Sequence, residues 1–132
     1  MRTCCADRAG LVLCQTKNTM VKFSFLFRRL PGMSFDAFTD YHKNKHAPLF
    51  ASIPEAERYV RKYIITHAVE APGFPKPLYD SITEIWFDSF EDYHTFFATK
   101  SYRENVHPDE YNFMDHSTVV VMITNVTVIK DK

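Results

Sequence analysis

His42 and His46 stand four residues apart in the run Tyr41-His42-Lys43-Asn44-Lys45-His46, a spacing that puts both imidazoles on one face of a helix. Imidazole is the side chain whose ordinary pKa lies nearest neutrality. His46, at the end of the predicted helix, is therefore read as a proton-transfer residue, and the structural alternative is a histidine that bonds the backbone and stops the helix. Two histidines at this spacing hold zinc only with a third protein ligand. The sequence specifies none, so no metal is assigned and His42 is read as pocket lining or packing.

Other candidates come from strands. The alternation Tyr59, Arg61, Tyr63, Ile65, His67 sends Tyr63 and His67 to one side, where they can line a common cavity. Asp80, Ile82, Glu84 and Trp86 share a face of a later strand. Carboxylates beside an indole either line a pocket or pair with Arg61 or Lys62 across the sheet. Tyr41, His42, Tyr63, His67, Asp80 and Trp86 are taken as candidate substrate-contacting residues, with His46 as the catalytic one. Asp109, Asp115 and His116 surround the last loop; His107 and His116 can complete a pocket, but no spacing argument singles them out.

The elements that must position these side chains follow from the pattern. Val21, Phe23, Phe25 and Phe27 alternate with Lys22, Ser24, Leu26 and Arg28, which makes Val21 to Arg29 a half-buried strand. Leu30-Pro31-Gly32 is a turn, and Ser34 caps a helix from Phe35 to about His46. Pro48 and Pro54 leave the next stretch irregular. Arg58 to Val69 and Tyr79 to Asp88 read as strands separated by a proline-rich loop. Ser89 opens a second helix to about Thr99, and Ser101 resembles a further cap. Thr118 to Lys130 is the last strand. The order β-α-β-β-α-β is the ferredoxin-like α+β arrangement. Valine and isoleucine on both faces of the last strand predict a homodimer with sheets packed face to face.

Composition narrows the partners. The chain has 132 residues, with Lys+Arg 16 against Asp+Glu 16, and this balance disfavours nucleic acid. Apolar runs are far too short to span a bilayer. Only 3 glycines occur, and no Gly-rich phosphate cradle is present, so no nucleotide or flavin cofactor is expected. Cys4, Cys5 and Cys14 all precede Met20, which excludes a disulfide framework and points to a cytoplasmic setting. Residues 1–19 lack periodicity and read as an N-terminal extension without fixed structure, leaving 20–132 as the domain. The 15% of aromatic residues suit a ring-lined core or cavity.

Three motifs carry a resemblance. Met33 to Leu49, ending in His46-Ala47-Pro48-Leu49, resembles the signature of the EthD family. Tyr79-Asp80-Ser81-Ile82-Thr83-Glu84-Ile85-Trp86-Phe87 is similar to its third strand, and Asp109-Glu110 with Phe113 and Asp115 to its Asp-Glu-x-x-Phe-x-Asp segment. At the position of His42 the family usually carries a bulky aromatic residue. The resemblance implies a dimeric α+β barrel, a pocket reached by His46, and a small aromatic or polyketide-like substrate. The implied activity is that of a cofactor-free lyase (decarboxylase or dehydratase) or oxidoreductase. The alternative is a non-catalytic accessory or small-molecule-binding barrel.

Overall fold

A computed structural model of the protein describes residues 3–6, 12–15 and 20–132. Strands β1 (Thr3–Ala6) and β2 (Val12–Gln15) pair antiparallel as a separate two-stranded sheet. The remainder of the extension expected over 1–19 lies outside the described residues.

The domain is built from β3 (Val21–Arg29), α1 (Phe35–Tyr41), α2 (Ala47–Ser52), α3 (Pro54–Tyr59), β4 (Val60–His67), β5 (Ser81–Phe87), α4 (Phe90–Ala98) and β6 (Met114–Asn125). Strand order is β4-β5-β3-β6, antiparallel throughout, as the ferredoxin-like pattern requires. A single chain forms an open sheet and not a closed barrel. Two of the three predicted N-caps are made: the Ser34 and Ser89 hydroxyls accept from the backbone N–H of Ala37 and Asp92, each at 3.0 Å. Ser101 makes no such cap; the Thr99 hydroxyl accepts from the Tyr102 N–H instead.

Boundaries move for physical reasons. The last strand starts at Met114 because Arg28 and Arg29 pair with Asp115 and Met114 across an irregularity in register after Leu26. It ends at Asn125 because that residue pairs with Val21, where β3 begins. The second strand starts at Val60 because Pro54 opens a short helix that takes in Arg58 and Tyr59.

The helix expected from Phe35 to His46 changes pitch partway. After α1 the backbone widens into a π-helical turn over His42–His46, with the Ala47 N–H bonding the His42 carbonyl five residues back. A second π-helical turn over Tyr102–Val106 closes in the same way, His107 N–H to Tyr102 carbonyl. Each is followed two residues on by proline, Pro48 and Pro108. Proline supplies no N–H and its ring crowds the carbonyl four residues earlier, so an ordinary turn is disfavoured at both places and the wider one relieves the clash.

The sheet's two faces differ sharply. The helix-covered face buries Val21, Phe23, Phe27, Ile85 and Phe87 against Phe38, Phe50, Phe96, Val106 and Phe113. The opposite face carries Leu26, Ile64, Ile82, Val120 and Met122, with Val120 45% and Met122 60% exposed.

Candidate functional site

The helix-covered face holds a small cavity walled by Phe25, Phe50 and Phe97, into which polar groups converge: His42, His46, Tyr63, Thr83, Tyr102 and Glu110. With these side chains as they stand it has a volume of about 10 Å³, room for about one water molecule. The Thr83 hydroxyl is buried there with no hydrogen-bond partner among the described residues. An unpaired buried hydroxyl is costly, so this one marks a place where a polar group of a ligand or a water belongs.

His46 reaches this cavity from the end of the first π-helical turn, only 5% exposed. Its Nδ1 lies 2.9 Å from Asp109 Oδ2. The other Asp109 oxygen accepts from the Tyr41 hydroxyl at 2.5 Å and from Asn112 Nδ2 at 2.9 Å, and Asn112 also donates to the Tyr41 oxygen at 3.1 Å. Burial alone would push the Asp109 carboxyl up. The hydrogen bonds from Tyr41, His46 and Asn112 outweigh it and hold this group below the usual aspartate value. Tyr41 is shifted the opposite way, raised by burial and by the Asp109 carboxylate it serves. A carboxylate acceptor at Nδ1 fixes the proton on that nitrogen and leaves Nε2 of His46 as the basic atom. Phe113, fully buried, packs its ring 4.7 Å from the His46 ring and 4.9 Å from the His42 ring, which fixes both.

His42 is 1% exposed, and its Nδ1 meets Nε2 of His67 at 3.0 Å. Burial, and then the nearby His67 and His46, keep it neutral with a pKa lowered to about 3. His67 is lowered too, by burial and by Lys43. Tyr63 stacks on Phe50 at 4.2 Å, and burial followed by the Glu110 charge raises its phenol.

The seven residues picked from sequence divide accordingly. His42, His46 and Tyr63 line the cavity; His67 stands one hydrogen bond behind it, and Tyr41 two, through Asp109. Asp80 and Trp86 do not belong to it. Asp80 takes the Arg29 guanidinium at 2.8 Å and the Arg29 backbone N–H at 2.8 Å, so it ties β3 to the loop before β5. The expected partners, Arg61 and Lys62, lie elsewhere: Arg61 pairs with Asp88. Trp86 points to the bare face, where the Lys22 and Lys62 ammoniums sit 5.4 and 4.9 Å from its ring. The alternation that placed Tyr63 and His67 inward also sends Trp86 outward, because its register partners are Lys22 and Lys62.

Sequence reasoning left Asp109 and Glu110 out of the candidate site, although both stand in the Asp-Glu-x-x-Phe-x-Asp segment. The Glu110 carboxylate accepts from the Tyr102 hydroxyl through one oxygen, while its other oxygen lies 3.0 Å from both His107 Nδ1 and His116 Nε2. His107, Glu110 and His116 offer three metal-ligating atoms within 4.8 Å of one another.

This combination defines a ferredoxin-like α+β domain with a part-buried His–Asp pair at a small aromatic cavity. Residues 30–117 match the EthD domain, and the chain belongs to the EthD family. A conidial pigment biosynthesis dehydratase of Metarhizium robertsii is 32% identical over 106 residues, covering 72% of this chain and 74% of that protein. Among solved structures, an EthD family protein of Bacillus halodurans superposes with a TM-score of 0.64 at 24% identity, covering 82% of this chain and 99% of that one. A dimeric ferredoxin-like protein of unknown function from Bacteroides fragilis gives 0.58 at 14% identity, covering 82% and 97%. Among the described residues, no helix is long and apolar enough to cross a membrane.

Proposed function

We propose that the protein is a lyase, a dehydratase acting on a small aromatic or polyketide-like β-hydroxy carbonyl compound, with His46 as its acid–base residue. The observation that carries this reading is the His46–Asp109 pair, 2.9 Å apart, with His46 lining the cavity. Asp109 holds the imidazole tautomer and orientation and offsets the charge of the imidazolium. In the reaction, Nε2 takes the proton from the carbon next to the carbonyl, and the C–H electron pair becomes an enolate. The enolate re-forms its carbonyl, makes the carbon–carbon double bond and expels the β-hydroxyl, which recovers the proton from Nε2 and leaves as water. The balance closes with no oxidant and no added cofactor, as a lyase reaction requires. The fungal relative's printed name, a dehydratase, supports the same choice.

The protein acts as a homodimer in this reading. The bare sheet face with Val120 and Met122 is the surface a second copy would cover, and two such open sheets facing each other complete the barrel. The Bacteroides neighbour described as dimeric supports it.

A cavity with room for one water favours the other reading, a barrel that binds or assists without catalysis. A ring substrate needs several hundred cubic ångströms, so catalysis requires the aromatic wall to open. Incubation with a panel of aromatic β-hydroxy ketones, read by mass spectrometry for loss of one water, decides the matter. Dehydration by wild type that is abolished in His46→Gln supports the lyase. Saturable binding without turnover across the panel establishes the carrier.

A further inference from the structure

We propose that His107, Glu110 and His116 bind a divalent transition-metal ion, with zinc the best fit, at a site separate from the His46–Asp109 pair. His107 and Glu110 stand three residues apart on the short 3-10 helical turn His107–Asn112, and His116 comes from β6 beside it. The Glu110 oxygen lies 3.0 Å from Nδ1 of His107 and 3.0 Å from Nε2 of His116, and all three ligand atoms fall within 4.8 Å. A tetrahedral zinc with bonds of about 2.0–2.1 Å keeps its ligand atoms about 3.3–3.4 Å apart. Replacing the two hydrogen bonds with metal bonds therefore opens each Glu110–imidazole distance by about 0.3–0.4 Å and draws the two imidazole nitrogens together by up to about 1.5 Å, a rotation that the partly exposed rings of His107 and His116 allow.

The donor set selects the ion. Two imidazoles and one carboxylate suit zinc and its late-transition neighbours, whereas magnesium and calcium call for oxygen throughout. Three protein ligands leave a fourth position for water. The surroundings hold the ligands in place. The second Glu110 oxygen accepts from the Tyr102 hydroxyl, and the Tyr111 ring stacks on His116 at 3.9 Å and meets His107 edge-on at 5.6 Å. Fixing ligands through such outer contacts raises metal affinity. Glu110 is 7% exposed, a carboxylate drawn out of water, and a cation beside it offsets its charge. The half-exposed His107 gives an ion a path from solvent. Bound there, the metal ties the 3-10 turn to the last strand behind the Glu110 wall of the cavity.

Cobalt(II) is the probe, added alone to the full chain as a coloured stand-in for zinc. The expected result is one equivalent per chain, with visible d–d bands, no thiolate charge-transfer band, and displacement by zinc. Zinc should also raise the thermal midpoint. His107→Gln and His116→Gln should each weaken binding by about 100-fold or more with the circular dichroism retained; both positions are partly exposed, and the fold does not depend on them as it does on Glu110. His46→Gln should keep the bands in full. Cobalt binding that persists in the double variant, a spectrum dominated by cysteine ligation, or no saturable binding by wild type would each overturn the site.

Discussion

Two carboxylates adjacent in the chain hold different histidines. Asp109 and Glu110 each accept from a tyrosine, Tyr41 and Tyr102, and each meets imidazole nitrogen, but the numbers differ. Asp109 holds one histidine, leaves Nε2 of that ring free of the pair, and has Asn112 as a further donor. Glu110 gathers two histidines on one oxygen and has its second oxygen occupied by Tyr102. Both carboxylates have both oxygens occupied, so the difference lies in where their histidines stand: the ring held by Asp109 lines the cavity, whereas the two rings held by Glu110 lie outside its lining. The difference teaches that neighbouring carboxylates in one turn are distinguished by the place of the imidazoles they hold.

The comparison breaks first at His46. His46→Gln should lower turnover by about 10²–10⁴-fold, the usual worth of a general acid–base, at a cost in stability of about 1 kcal/mol. Asp109→Asn should lower turnover by about 10²-fold, because an amide that donates toward Nδ1 stabilises the wrong tautomer. Steady-state kinetics with urea denaturation separates the two effects. Turnover retained by a folded Asp109→Asn protein would remove the asymmetry between the two carboxylates.

Acid should expose the neutral histidine beside the pair. His42 titrates near 6.5 in the unfolded chain but at about 3 when folded, so below pH 6.5 the unfolded state binds a proton that the native state does not. Stability is therefore lost as pH falls from about 6.5 toward 3, by about 1.4 kcal/mol per pH unit for this one group. His67 acts in the same direction, and Asp109 joins only below the ordinary aspartate range. His42→Phe should reduce the slope of urea stability between pH 6.5 and 4.5 by one proton. An unchanged slope would mean that His42 is already charged in the native protein.

The tyrosines give the finest discrimination. Tyr102→Phe leaves a buried Glu110 oxygen without its donor and should cost about 1–3 kcal/mol. Tyr41→Phe leaves Asp109 with His46 and Asn112 and should cost less than about 1 kcal/mol. Equal losses in thermal unfolding would show that the two carboxylates are equivalently supported.

Strand periodicity made most of the fold legible, because a period of two is a property of consecutive residues. Val21 to Phe27 alternates cleanly, and the helix caps at Ser34 and Ser89 are local as well. The site was legible only in part. His46, His42 and Tyr63 could be found from spacing within one element. Asp109 could not, since its partners Tyr41 and His46 lie 68 and 63 residues away and meet it only when the last loop folds back. Asp80 was read toward the cavity because its partner Arg29 belongs to a strand 51 residues earlier. The motif that contains Asp109 and Glu110 was visible, but a motif carries no direction for its side chains.

The π-helical turn before Pro48 makes the site a matter of counting. In an ordinary helix each residue advances the side chain by about 100°. Removing one of the exposed residues between His42 and His46 would restore the regular pitch and swing the His46 imidazole away from both Asp109 and the cavity, without altering any residue that touches either. A chain of this family that keeps every motif but differs by one residue in that turn would have the composition of the site and not its geometry. Alignments that place a single gap freely in this stretch therefore pass over the position that decides whether His46 meets Asp109.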